Sequence, residues 1–248
     1  MCIRDRFNMD SEIVQDQNVR KAIEMGIDKE GFCSVIMEGR GIPAKGAFPG
    51  SFSYGNDAVE TVSYDPEEAK KLLEESGWTD TDGDGYVDKD GQKLTINWLT
   101  YPTRLEQPKL AEYAQATLKE IGIDVSVNNT SDHRTYAENG EFDVYVSSLT
   151  TAPTGDPEYF FSSTVTGSKN YGNYQNDEVT KLTEQLHQTF DTDERGKLAV
   201  ELQQKILDDD AYFFVSHLNM GIVTKANVTG MAAHPCDYYE ITADLDVQ

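Results

Sequence analysis

"LTINWLTYPTRLEQPKLAEYAQATLKEIGIDVSV", residues 94–127, changes its hydrophobic period twice, and those changes decide the fold. Leu94, Ile96 and Trp98 alternate with polar neighbours, the period of a strand with one buried face. Leu110, Ala114, Leu118 and Ile121 then recur at helical spacing until Gly122 stops the helix. Ile123, Val125 and Val127 return to alternation, so the stretch reads as a β-α-β unit.

The pattern extends in both directions. Upstream, "DPEEAKKLLEESGW" (65–78) is a helix with Asp65 as cap, Pro66 in the first turn, Glu68 completing a capping box and Gly77 as stop. Ala69, Leu72 and Leu73 form its buried stripe, onto which Trp78 folds back. Downstream, "FDVYVSS" is a strand, and residues 149–176 are loop-dominated. Helices are expected near 177–188 and 193–207, then strands at "YFFVSHL" and "GIVTK" before an acidic tail. The result is an α/β architecture.

"DTDGDGYVDKDG" (80–91) joins the first of these helices to the first strand. Asp80, Asp82, Asp84, Tyr86 and Asp88 fall at the odd positions of a calcium loop, with Gly85 at its sharp turn. The twelfth position is Gly91 rather than the bidentate Glu that closes such loops. A polar hairpin turn built on Asp-Gly pairs is the alternative.

Composition narrows the function classes. The 248 residues carry 44 acidic and 21 basic side chains, a net charge of −23, which repels nucleic acid and anionic lipid surfaces. Cys2, Cys33 and Cys236 form no CxxC pair, so neither a disulfide framework nor a thiolate zinc site is indicated. No run of apolar residues is long enough to span a bilayer. "MCIRDRFNMD" does not resemble a signal peptide, because Arg4, Asp5 and Arg6 interrupt any apolar region. No enzyme constellation is present: "SFSYG" misses a nucleophile elbow at Ser51, and neither HExxH nor a phosphate loop occurs. No cofactor is required by any motif.

Several segments, in order, resemble one family: the extracytoplasmic solute-binding proteins of ABC importers, in the peptide and nickel group. "DQNVRKAIEMGIDKEGF" resembles its signature helix pair, "YDPEEAKKLLEESGW" the next helix, and "PKLAEYAQATLKEIGIDVSV" its β-α-β core. "EFDVYVSS", "DPEYFFSS", "NYGNYQNDEV" and "DERGKLAVELQQKILDDDAYFFVSHL" carry the resemblance to near the C terminus. In this family a "DGDG"-like connection often follows the helix ending in "GW", which favours the turn reading of residues 80–91.

The resemblance implies a class II periplasmic-binding-protein-like lobe with a mixed sheet flanked by helices. Members are two-lobed clamps, and the signature near Asp16 opens the second lobe. Residues 1–15 are therefore expected to be a truncated or artefactual lead-in, 16–212 lobe II, and 213–248 a return segment whose strands belong to an absent lobe I. The implied activity is closure around a small solute and delivery to ABC permease subunits by a monomeric extracytoplasmic protein, periplasmic or lipid-anchored.

Peptide-binding members carry a Trp-x-x-Asp-Tyr-x-x-Pro type segment whose Asp pairs with the peptide amine. Here "LTTAPTGDPEYFF" places Thr150 and Pro153 at the Trp and Asp positions. That difference, with the ending "HPCDYYEITADLDV", resembles the nickel and metal-chelate branch; a peptide is the alternative solute, and a calcium-regulated module is the alternative from another class. Neutral imidazole suits nickel, making His133, His217 and His234 candidate ligands, with His187 a surface residue. By position, Thr150, Thr151, Pro153, Thr154 and Asp156, together with Asn170 and Tyr171, are expected to line the face toward the other lobe. Arg20 is expected to hold its helix against neighbours.

Overall fold

The computed structural model describes residues 1–233 and 241–248. Its strands are β1 (Cys2–Phe7), β2 (Gly41–Pro43), β3 (Asp88–Lys89), β4 (Gln92–Lys93), β5 (Thr95–Thr100), β6 (Asp124–Asn129), β7 (Val144–Leu149), β8 (Tyr212–Leu218), β9 (Val228–Thr229) and β10 (Asp246–Val247). Its helices are α1 (Gln17–Met25), α2 (Lys29–Gly31), α3 (Pro66–Glu75), α4 (Glu106–Lys119), α5 (His133–Glu138), α6 (Glu158–Phe160), α7 (Asp177–Gln188) and α8 (Thr192–Asp208). Short π-helical turns follow α2 and α6 at Phe32–Ile36 and Phe161–Val165.

Six strands form the main sheet in the order β2-β8-β1-β7-β5-β6. The β-α-β reading holds: β5 pairs in parallel with β6, from Thr95 opposite Asp124 to Thr100 opposite Asn129, and α4 crosses between them. Gly122, at φ +81, makes the return possible, and a Cβ there would lie 2.9 Å from Val87 Cγ1. Of the α3 signals, Asp65 accepts from the Glu68 amide and Gly77 stops the helix at φ +84, but Glu68 does not complete a capping box: its carboxylate pairs with Lys71, and the Asp65 amide donates to Met25 O. Asp90 and Gly91, both at positive φ, turn the β3–β4 hairpin, the conformation that Asp-Gly favours.

Helices cover both faces. On one side α1, α3 and α4 bury Ile23, Leu73, Leu110 and Leu118 against Ile96, Trp98 and Val146. On the other, α7 and α8 bury Leu186, Leu202 and Ile206 with Phe160, Tyr212 and Phe214. Each such side chain contributes about 1.5–3 kcal/mol, so these two layers supply most of the stabilising burial. Arg20 holds α1 as expected: its guanidinium donates to the carbonyls of Val14, Gln15, Asp209 and Asp210.

Three expectations need correction. Residues 2–7, placed in a lead-in, are an interior strand pairing with both β7 and β8. "CIRDRF" conceals this because interior strands normally read as apolar runs. Its charges are instead buried, and Arg4 Nε and Nη1 and both carboxylate oxygens of Asp5 have no hydrogen-bond partner among the described residues. Secondly, the boundary at 212/213 cuts through β8, so Phe213–Leu218 belong to this sheet rather than to a return segment. Thirdly, "GIVTK" forms no ladder, and Val223 is 97% exposed.

Candidate functional site

The pairings fix a direction for every long strand. β5, β6 and β7 run together, β1 runs against β7 and β8, and β8 therefore runs with β7. Their carboxyl ends lie at two levels: β5 and β6 end beside the start of β7, where Leu99 pairs with Tyr145, whereas β7 and β8 end together about 13 Å further along, where Leu149 and His217 both face Cys2. In α/β folds of this kind ligands bind at carboxyl ends, because loops leave the sheet there with unpaired backbone groups. Tyr101 follows β5, His133 opens α5 after β6, and Thr150–Asp156 leaves β7.

At the carboxyl ends of β5 and β6, beside the start of β7, His133 is held on two sides. Its ring stacks on Tyr101 at 4.1 Å between centroids, and its Nδ1 lies 2.6 Å from the Tyr145 hydroxyl. Half-burial and the neighbouring Arg134 push the imidazole pKa down, which favours the neutral, metal-competent form. Burial pushes the Tyr145 phenol up to about 12, so it stays protonated. With Nδ1 engaged, Nε2 is the nitrogen left to a ligand, an arrangement common to metal-binding histidines.

The other imidazoles do not join it. His217 is buried on β8, with both ring nitrogens unpartnered among the described residues and its pKa pushed down to about 4 by burial. β8 stands three strands from β5, about 14 Å at ordinary strand spacing. A metal binding both His133 and His217 would need their nitrogens within about 4 Å. His234 lies outside the described residues, as does Cys236.

The seven other candidate residues divide between exposed or half-buried positions and side chains engaged within the protein. Thr154 is exposed, and Thr150 and Tyr171 are half-buried. Thr151 and Pro153 are buried, the Thr151 hydroxyl donating to Ala47 O at 2.8 Å. Asp156 is committed to an ion pair with Arg195 and to the Glu158 amide. Asn170, expected to bond solute, uses its side chain to close its own turn through the amide and carbonyl of Tyr174. The loop carrying Tyr171 crosses the opposite end of β1, where Met9 N donates to Gly172 O, so it is remote from the 150–156 loop. Tyr171 lies instead beside the His133 cluster: its ring is 6.1 Å from that of Tyr145, and the Arg6 guanidinium sits 5.4 Å from the Tyr171 ring and 5.2 Å from the Tyr145 ring.

Sequence reading missed Tyr101, Tyr145 and Arg195. The first two belong to strand-like runs, where an aromatic is more simply a core residue, and no local pattern marks their meeting with His133.

The Asp-rich loop is a self-capped turn. Asp80 accepts from the amides of Gly83 and Gly85, Asp82 from Asp84, Asp84 from Tyr86, and Asp88 from Thr81. Carboxylate oxygens of Asp80, Asp82 and Asp88 approach within 4.8 Å of one another. Asp84 instead pairs with Lys93 at 2.7 Å, and the Tyr86 ring lies under Lys93. Only three of the five candidate calcium residues therefore converge.

A mixed sheet with helices on both faces and a ligand edge at the carboxyl ends is the architecture of class II periplasmic-binding-protein-like folds, and solved structures superimpose on it. Residues 6–172 match the family of bacterial extracellular solute-binding proteins, family 5, and the chain belongs to it. The oligopeptide-binding protein AppA of Bacillus subtilis is 32% identical over 247 residues, covering 95% of this chain and 45% of AppA. The nickel-binding periplasmic protein of Escherichia coli is 27% identical over 226 residues, covering 88% of this chain and 43% of that protein. A nickel ABC transporter structure from Bacillus halodurans has a TM-score of 0.80 at 27% identity, over 99% of this chain and 52% of that one. AppA in complex with a nonapeptide has a TM-score of 0.77 at 25% identity, over 96% and 49%. The chain thus spans about half the length of these relatives. They are solute-binding proteins, not enzymes.

Proposed function

We propose that the chain is lobe II of an extracytoplasmic solute-binding protein, periplasmic or lipid-anchored, that closes with a second lobe around a small solute and delivers it to ABC permease subunits. Nickel or a nickel chelate is the favoured solute. The observation that carries this reading is His133 at the carboxyl edge, neutral, stacked on Tyr101 and bonded through Nδ1 to Tyr145. The absence of an acidic side chain at Pro153, where the peptide-binding pattern has its amine anchor, supports the same choice. Nickel-binding relatives at 26–27% identity are consistent with it.

An oligopeptide is the second reading, favoured by the 32% identity to AppA. In either case the protein works as a monomer, and the chain after β8 leads toward the other lobe. Calcium at Asp80, Asp82 and Asp88 would be accessory to both.

The test begins with the DNA upstream of the Met1 codon. A reading frame continuing into a lobe-sized segment supports the clamp, and an in-frame stop with a ribosome site contradicts it. Calorimetric titration of the encoded protein with nickel-histidine complex and with a mixed nonapeptide pool then separates the solutes. Nickel-histidine binding lost in His133→Gln supports the first reading; peptide binding alone supports the second.

A further inference from the structure

We propose that Arg195 is a positioning residue for the ligand edge, holding the Thr150–Asp156 loop from behind through Asp156. This role rests on the reading of that loop as solute-facing. Arg195 stands in the first turns of α8, 39 residues from Asp156, with its side chain only 12% exposed. Nε and Nη2 bind the Asp156 carboxylate side-on at 2.8 and 2.7 Å, and Nη2 also reaches Glu158 at 2.8 Å. Nη1 donates to the carbonyls of Leu186 and Thr189 at 2.6 Å each. One planar group thus joins three elements: the loop after β7, the start of α6, and the end of α7.

The rest of the loop is pinned by its flank. Thr151 donates to Ala47 O, the Tyr54 hydroxyl donates to Gly155 O at 2.7 Å, and Gly155 turns at φ +80. At its C-terminal end the ties are Arg195 to Asp156 and Glu158 and His187 to Glu158 through Nδ1, at 2.7 Å. A guanidinium suits the task because its fork spans a carboxylate and two carbonyls at once, which the point charge of a lysine does not. Asp156 is consequently not a solute ligand but the handle by which α8 sets the loop.

Hydrogen exchange with mass spectrometry on the 248-residue chain tests this, comparing the unaltered protein with Arg195→Met and Arg195→Lys. The expected result is exchange at least ten-fold faster over residues 150–158 in Arg195→Met, unchanged protection over 94–129, and less than half of the protection recovered in Arg195→Lys. Unchanged exchange at 150–158, or an increase spread equally over 94–129, overturns the proposal. Should Arg195→Met not fold, Asp156→Asn, which weakens the same grip, must give the same local increase. Nickel-histidine titration of the protein encoded by the full reading frame tests the link to solute: affinity at least ten-fold weaker in Arg195→Met supports it, and unchanged affinity despite faster local exchange overturns it. If the protein encoded by the full reading frame binds neither nickel-histidine nor peptide, the functional reading fails while the exchange data still decide whether Arg195 sets the loop.

Discussion

The Tyr145 hydroxyl, from the first turn of pleat in β7, meets Nδ1 of His133, from the first residue of α5, at 2.6 Å. Removing that hydroxyl frees Nδ1 without emptying the stack on Tyr101. Tyr145→Phe is therefore expected to leave the fold intact, with a stability loss of about 1 kcal/mol for one hydrogen bond. Nickel-histidine affinity should fall several-fold, as loss of an outer partner of a metal-bound imidazole does. Urea unfolding and calorimetry on the same preparation check both.

His217 makes stability fall on acidification. Its folded pKa is depressed from 6.5 to about 4 by burial, so the unfolded chain takes up a proton between those values and the folded chain does not. The contribution is fully present above pH 6.5 and is lost as pH falls through 4, about 3 kcal/mol for the full interval. Urea unfolding at pH 7, 5 and 4 should show a shallower decline in His217→Leu than in the unaltered protein.

Asp5 works in the opposite sense. Burial raises its carboxyl well above the ordinary value, so its contribution is fully present below that value and is lost as pH rises through the raised one. Asp5→Val should stabilise the protein by about 1–3 kcal/mol near neutrality by removing an unpaired buried polar group. The gain should be larger at pH 8 than at pH 5 in denaturant melts; equal gains would mean the carboxyl is solvated.

Arg20→Met should be among the most damaging single changes. It leaves the carbonyls of Val14, Gln15, Asp209 and Asp210 without their donor, and a loss of about 3–5 kcal/mol is expected from removing one member of such a buried charged network. Thermal unfolding gives the value, and Arg20→Lys should recover only part of it because one ammonium cannot reach all four.

Calcium at 1 mM is expected to change the melting temperature by less than about 1 °C, because the loop carboxylates already accept from their own backbone amides and position twelve is Gly91. A rise that disappears in Asp82→Asn would instead mean that the three converging carboxylates form a site.

What the sequence determined by itself was local. The periods of 94–127, the cap at Asp65 and the stops at Gly77 and Gly122 each rest on backbone conformation or on one element's buried face. Those constraints are written within a few residues of where they act, and the β5-α4-β6 unit follows them. That His133 follows one strand and the 150–156 loop another was legible for the same reason, since both strands are recognisable, but the offset between their ends was not. Only the tertiary structure decided the rest. "CIRDRF" became an interior strand because β7 and β8 supply its backbone partners, whatever its charges. His133 found Tyr101 and Tyr145, and Asp156 found Arg195, because the sheet order β1-β7-β5-β6 and the packing of α8 bring together side chains that no sequence period relates. Long-range pairing depends on which elements share a core, and local hydrophobic spacing carries no record of that choice.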